Sequence, residues 1–132
     1  MPFNKSFDLV LLLLRLAFGG LMAINHGWSK FSKLLAGGPY EWADPLGMGP
    51  GLSLGLASFA EFICALLLVL GLFTRLATIP LIITMLVAAF VVHIDDGFQK
   101  MEHAILFLVP YVCLLIAGPG WYSFDAQFRK TA

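Results

Sequence analysis

The sequence predicts an all-α fold, a four-transmembrane-helix bundle with both termini on the same side. The first observation behind this is composition: the 132 residues are 60% hydrophobic and 12% charged, with a mean hydropathy of +0.90. Such a chain lies outside the range of soluble globular domains. The second is arrangement, because the apolar residues fall in blocks at about 7–30, 52–72, 76–93 and 103–118. Each block is close to the roughly 17–25 residues that cross hydrocarbon. The third is the placement of interfacial aromatics at the borders, with Trp28, Tyr40 and Trp42 towards one side and Trp121 and Tyr122 towards the other.

In the first block, Lys5 precedes the apolar run 9–14 in the manner of a leader peptide. Arg15 then interrupts the run and apolar sequence continues for about two to three further turns, so a retained helix is expected. The stretch 31–50 mixes glycine and proline with Tyr40, Trp42 and Met48, and reads as a surface loop with apolar anchors. The second block is interrupted by Glu61, whereas the third carries no charge from Leu76 through Val92. Pro80 falls in the first turns of that third helix, where a missing N–H costs little. Pro110 falls near the middle of the fourth and is expected to kink it.

Four crossings place the termini and the 71–75 link on one side, here side A, and the first loop and the 94–101 turn on the other, side B. Lys5, Arg75, Arg129 and Lys130 fall on side A against Lys30, Lys33 and Lys100 on side B. This margin orients side A towards the cytoplasm. Net charge is zero and no basic stripe is present, so no nucleic-acid partner is expected. The whole of 1–132 reads as a single transmembrane domain.

Arg15 and Glu61 are the costly residues. A charge at a helix centre costs about 2.5–3.5 kcal/mol on the insertion scale, so each is a candidate for function. From the 1.5 Å rise per residue, Arg15 lies about 12 Å in from side A and Glu61 about 16 Å. Arg15, Gly19, Met22 and His26 share one helical stripe, and Gly19, Gly20 and Ala23 would allow close approach. Ala57, Ser58, Glu61, Cys64 and Ala65 form a small, slightly polar face. These faces are expected to pack together with Arg15 bonded to Glu61, either as a lock on assembly or as part of a ligand or proton site.

The three histidines map to side B. His26, His93 and His103, with Asp95, Asp96 and Glu102, form a rim able to bind a quinone head group or pass protons. No recognised metal spacing is present, so no metal is expected. Cys64 and Cys113 lie within membrane segments and read as packing residues.

Taken in order, Leu14-Arg15-Leu16, Asn25 to Lys30 (NHGWSK), Phe59-Ala60-Glu61, Gly71 to Ala77 (GLFTRLA), His93 before Asp96-Gly97-Phe98, Glu102, and Gly118-Pro119-Gly120 before Ser123-Phe124-Asp125 form a pattern. Over nearly its full length the chain resembles the DoxX family of small four-helix membrane proteins, with a more distant likeness to surfeit-type cargo receptors. The resemblance implies a bacterial inner-membrane protein, multi-pass, tied to quinone-linked redox systems. It carries over Arg15, His26, Lys30, Glu61, Arg75, His93 and Glu102 as the family's polar positions. His103, Cys64 and Cys113 fall outside that pattern.

The resulting expectation is an accessory or quinone-interacting subunit of a membrane redox system, embedded in the lipid bilayer beside a redox partner subunit. Arg15 and Glu61 would form the buried polar site; His26, Lys30, His93, Asp96 and Glu102 would form the side B rim. Quinone is the one cofactor suggested. No flavin, haem-attachment or iron–sulfur motif is present, so a stand-alone enzyme is not expected. The alternatives are a small-molecule or proton carrier, and a scaffold that recruits a partner protein through Tyr40, Trp42 and Met48. Because four helices enclose little space, the carrier reading calls for a homodimer.

Overall fold

A computed structural model describes residues 4–40, 42 and 44–131, and every regular element among them is helical. The helices are α1 (Lys5–Ala36), α2 (Pro50–Leu70), α3 (Thr74–Val92), α4 (Phe98–Ala117) and a short α5 (Phe124–Thr131). The first four are long and apolar enough to cross a membrane. Helix α1 runs past Lys30 to Ala36, and α4 starts at Phe98 ahead of the apolar block. A helix ends where its backbone bonding ends, and that point is set by caps and not by hydropathy.

Local chemistry explains those ends. The Asn4 side chain accepts from the Phe7 N–H at 3.1 Å while Asp8 accepts from the Asn4 N–H at 2.9 Å, a reciprocal box that starts α1. Pro50 occupies the first turn of α2, where it forfeits no bond. Just before it, Asp44 accepts from the N–H groups of Met48 (2.9 Å) and Gly49 (2.7 Å) and from the Ser53 hydroxyl (2.7 Å). The Ser53 hydroxyl first, then these amides, hold the Asp44 carboxyl below its ordinary range.

Helix α2 stops at Gly71, whose φ of +73° suits glycine. There the Gly71 N–H donates to Leu68 O (3.1 Å) and the Leu72 N–H to Leu67 O (2.9 Å), closing a Schellman turn. Phe73 follows in the left-handed region at φ +49°. That conformation costs a non-glycine residue about 1 kcal/mol, offset here by Asp125, which accepts from the Phe73 and Thr74 N–H groups at 2.9 and 3.0 Å.

The start of α1 and the stretch after α4 meet at one end of the bundle, where the Trp121 N–H donates to Asp8 at 3.0 Å. Helices α1 and α2 cross almost backbone to backbone. A Cβ on Gly27 would collide with the Glu61 carbonyl, and one on Gly19 would lie 2.9 Å from Ala65 O. Gly20, expected at the same contact, instead faces open space.

The interior is small and apolar, built on Met22, Ala23, Ala65, Leu68, Leu81 and Leu114. Tyr111 is buried among them and donates to Phe18 O at 2.9 Å, tying α4 to α1. Pro110 is buried within an α4 that remains helical on both sides of it. The outside is oily: Ile24, Leu76 and Ile116 are 73%, 67% and 74% exposed. In water such a surface would aggregate, but it suits hydrocarbon, where each backbone group must already be satisfied within its helix.

Four stretches widen into π turns: Arg15–Gly19, Met22–Gly27, Phe59–Cys64 and Ala88–Val92. Arg15, His26 and Glu61 each sit on one. Such turns gather at functional positions because the extra residue per turn redirects a side chain.

Candidate functional site

Arg15 and Glu61 are both buried, at 1% and 5% exposed, but they do not meet. Arg15 donates to Val69 O at 3.2 Å, to Leu68 O at 3.4 Å and to Tyr122 O. Its guanidinium therefore sits on the last-turn carbonyls of α2, where a cation also opposes the helix dipole. Glu61 pairs with Lys30 Nζ at 2.9 Å.

The expected Arg15–Glu61 bond fails for a geometric reason. Side chains lean towards the N-terminus of their own helix. The helices are antiparallel, so Arg15 on α1 leans to side A while Glu61 on α2 leans to side B. Lys30, near the far end of α1, leans back into the bundle and meets Glu61. Helical lean and chain direction were the available signals; depth alone missed them.

Around that ion pair a cavity of about 370 Å³ opens between the helices towards side B. Its walls are mostly apolar, with Met22 from α1, Leu56 from α2, Ile83, Met85 and Val87 from α3, and Ala104 from α4. The polar groups converge from other points: Lys30, Glu61, His26, His93, Lys100 and His103. A concave, mainly apolar pocket with a few convergent polar groups is the usual form of a small-molecule site. A cavity of this size thus lies within a single chain. The first loop adds Trp42, Pro45, Leu46 and Met48 to its lining.

Trp42 is held by charge. The ammonium groups of Lys30 and Lys33 lie 5.6 and 5.7 Å from its ring centroid, within cation–π range. His26 and His103 meet at 3.1 Å between their Nε2 atoms, with ring centroids 5.0 Å apart. That contact needs one proton between two ring nitrogens, one donating and one accepting. Behind the ion pair, Phe62 stacks on Phe31 at 4.9 Å and lies 5.6 Å from Trp28, packing α1 onto α2 beside Gly27.

The rim residues divide. His26, Lys30 and His93 line the cavity. Asp96 is not in the wall but accepts from His93 Nδ1 at 3.0 Å, and this bond above all holds its carboxyl below the ordinary range. Glu102 is exposed on the first turns of α4 and does not line the cavity. His103, placed with the other histidines on side B but not among the final candidate site residues, lines it too, as does Lys100, which was not a candidate. Their signal was position, one turn apart on the helix facing His26. Cys64 is buried in the core and Cys113 faces outward, both as free thiols. Among the described residues no cluster of three or more His, Cys, Asp or Glu is arranged to hold a metal.

Fold and cavity together define a multi-pass helical membrane protein with an ion-paired pocket inside its bundle. The DoxX family model matches residues 10–94, and the chain belongs to the DoxX family. It is 30% identical to an uncharacterized membrane protein of Mycobacterium tuberculosis, over 86% of this chain and 78% of that protein. It is also 29% identical to an uncharacterized protein of Haemophilus influenzae, over 83% of this chain and 84% of that one. No solved structure matches it at a significant level.

Proposed function

We propose that this DoxX-family protein binds a quinone, or a similar lipid-soluble molecule with hydrogen-bonding oxygens, in the side B cavity, as an accessory to a membrane redox system. The observation that carries this reading is the Lys30–Glu61 ion pair set in the wall of a mainly apolar space of about 370 Å³. Such a space accepts a ring, while ammonium and imidazole N–H groups suit carbonyl oxygens. Lys30 and the His26–His103 pair would hold the oxygens, and Leu56, Ile83 and Met85 would flank the ring. A bound quinone supplies a two-electron, two-proton couple. Glu61 and the histidines supply groups that hold protons beside it.

The same reading places the protein in a bacterial inner membrane as one transmembrane domain with cytoplasmic termini. Lys5, Arg75, Arg129 and Lys130 on side A against Lys30, Lys33 and Lys100 on side B support that orientation.

The test uses purified protein titrated with decylubiquinone and read by quenching of tryptophan emission. Wild type should bind saturably. Replacing the pair with apolar residues, Lys30→Met with Glu61→Leu, should weaken binding by about tenfold or more. Equal binding in both proteins would sink the quinone reading. Proton flux in proteoliposomes without any quinone dependence would favour a carrier.

A further inference from the structure

A second hollow, of about 510 Å³, lies at the opposite end of the bundle, where α3, the C-terminal end of α4 and α5 converge. Asp8, Thr74, Arg75, Trp121, Asp125 and Arg129 are in its wall. We propose that this hollow binds an anionic phosphate group, held between the guanidinium groups of Arg75 and Arg129.

Charge in the hollow looks balanced, two arginines against two aspartates, but the aspartates are committed. Asp8 accepts from the N–H groups of Asn4 (2.9 Å) and Trp121 (3.0 Å), and Asp125 from those of Phe73 (2.9 Å) and Thr74 (3.0 Å). The arginines are not committed in this way. Arg75 makes one long bond, 3.3 Å to Ile116 O, and lies across Gly118, where a Cβ would come within 3.1 Å of its guanidinium. It is thus positioned while most of its five donors remain available. Arg129 is exposed and pairs with no carboxylate among the described residues.

An independent observation points the same way. Thr74 lines the hollow, is 1% exposed, and its Oγ1 has no hydrogen-bond partner among the described residues. A buried hydroxyl is rarely left unpaired. A phosphate oxygen in the hollow would supply the missing acceptor, and guanidinium forks match phosphate geometry.

The surroundings favour a lipid as the source of that phosphate. Phe73 and Leu76, also in the wall, are 64% and 67% exposed, as acyl-chain neighbours would be. Phe124 and Phe128, one turn apart on α5, are also exposed and apolar, as suits a short helix lying at the membrane surface with Arg129 beside the headgroups. Basic pockets between helices at a membrane surface commonly take anionic headgroups.

Native mass spectrometry of the full-length protein from mixed micelles tests this. Wild type should retain phosphatidylglycerol over phosphatidylcholine by about tenfold, and Arg75→Gln with Arg129→Gln should bring the ratio to about one. Arg129→Gln alone, on an exposed position, should fold normally and lower the ratio in part; Thr74→Val should do so without changing any charge. Glycerol 3-phosphate distinguishes the sources. Weak competition supports a lipid headgroup, and binding as tight as the lipid's, lost in the double variant, supports a soluble phosphate ligand at the same site. A ratio unchanged in the folded double variant, or no preference and no phosphate binding in wild type, overturns the proposal.

Discussion

The two ends of the bundle use buried charge in opposite ways. On side A the charges are spent on backbone: Arg15 on three carbonyls, Asp8 on the N–H of Trp121 after α4, and Asp125 on N–H groups at the start of α3. On side B side chains bond to each other, Lys30 to Glu61 as an ion pair and His26 to His103 as a hydrogen bond. A backbone partner cannot leave without unravelling its helix, whereas a side-chain partner can rotate away and be replaced by a ligand oxygen. The contrast separates what fixes the fold from what is free to do chemistry.

The largest effect should come at the joint between the ends. Gly27→Leu forces a side chain into the Glu61 carbonyl and the Phe62 backbone, and overpacking of this kind commonly costs about 1–3 kcal/mol or more. The expected outcome in size-exclusion chromatography after detergent extraction is aggregated protein, with Gly20→Leu behaving as wild type. A monodisperse Gly27→Leu protein would mean that α1 and α2 can separate there.

Next comes Arg15→Met, which removes the guanidinium donor from the carbonyls of Leu68, Val69 and Tyr122. It should cost about 3 kcal/mol of stability, read as a lower unfolding midpoint, while quinone affinity in the folded fraction stays the same. Loss of affinity at unchanged stability would erase the distinction between the ends.

The apolar replacement of the ion pair should show the reverse. Exchanging a buried pair for well-packed apolar residues is commonly neutral or stabilising, so Lys30→Met with Glu61→Leu should hold its midpoint within about 1 kcal/mol. Lys30→Met alone, which strands the carboxylate, should be the less stable of the two. A large destabilisation of the double variant would show that the pair is an assembly lock.

The smallest effect concerns acid. The carboxyl of Asp44 has a lowered pKa, chiefly from the Ser53 hydroxyl, so its contribution to loop order is present above the ordinary value of about 4 and is lost as pH falls through the lower folded value. Emission from Trp42, in protein with Trp28 and Trp121 changed to Phe, should report release of the loop only below about pH 4. Release near neutral pH would point to the histidines instead.

Much of the fold was legible because hydrocarbon leaves few options: four apolar blocks, small residues at the α1–α2 contact, and aromatics at the borders. The site was less so. Arg15 and Glu61 stood out by their cost, but cost says nothing of direction, and the two lean apart. Lys30 read as a rim residue at the very end of the first block, and not as a partner of Glu61, because hydropathy ends before the helix does. His103 was set aside for falling outside a family pattern, although only the packing of α4 against α1 decides what His26 meets. The π turns under Arg15, His26 and Glu61 have no sequence signature in a leucine-rich helix, and the place of Trp42 in the cavity wall depends on where the loop is anchored.

Arg15 also bears on how the chain is made. It enters the membrane with the first helix, yet one of its three acceptors, the Tyr122 carbonyl, lies beyond the fourth, as does the Trp121 amide that Asp8 receives. Through most of synthesis the newborn first helix carries a guanidinium with incomplete solvation, and it is completed only when the stretch after α4 leaves the ribosome. A chain stopped at Ala117 would keep its four crossings and lose that closure, so it should be retained by the insertion machinery or cleared by membrane proteases.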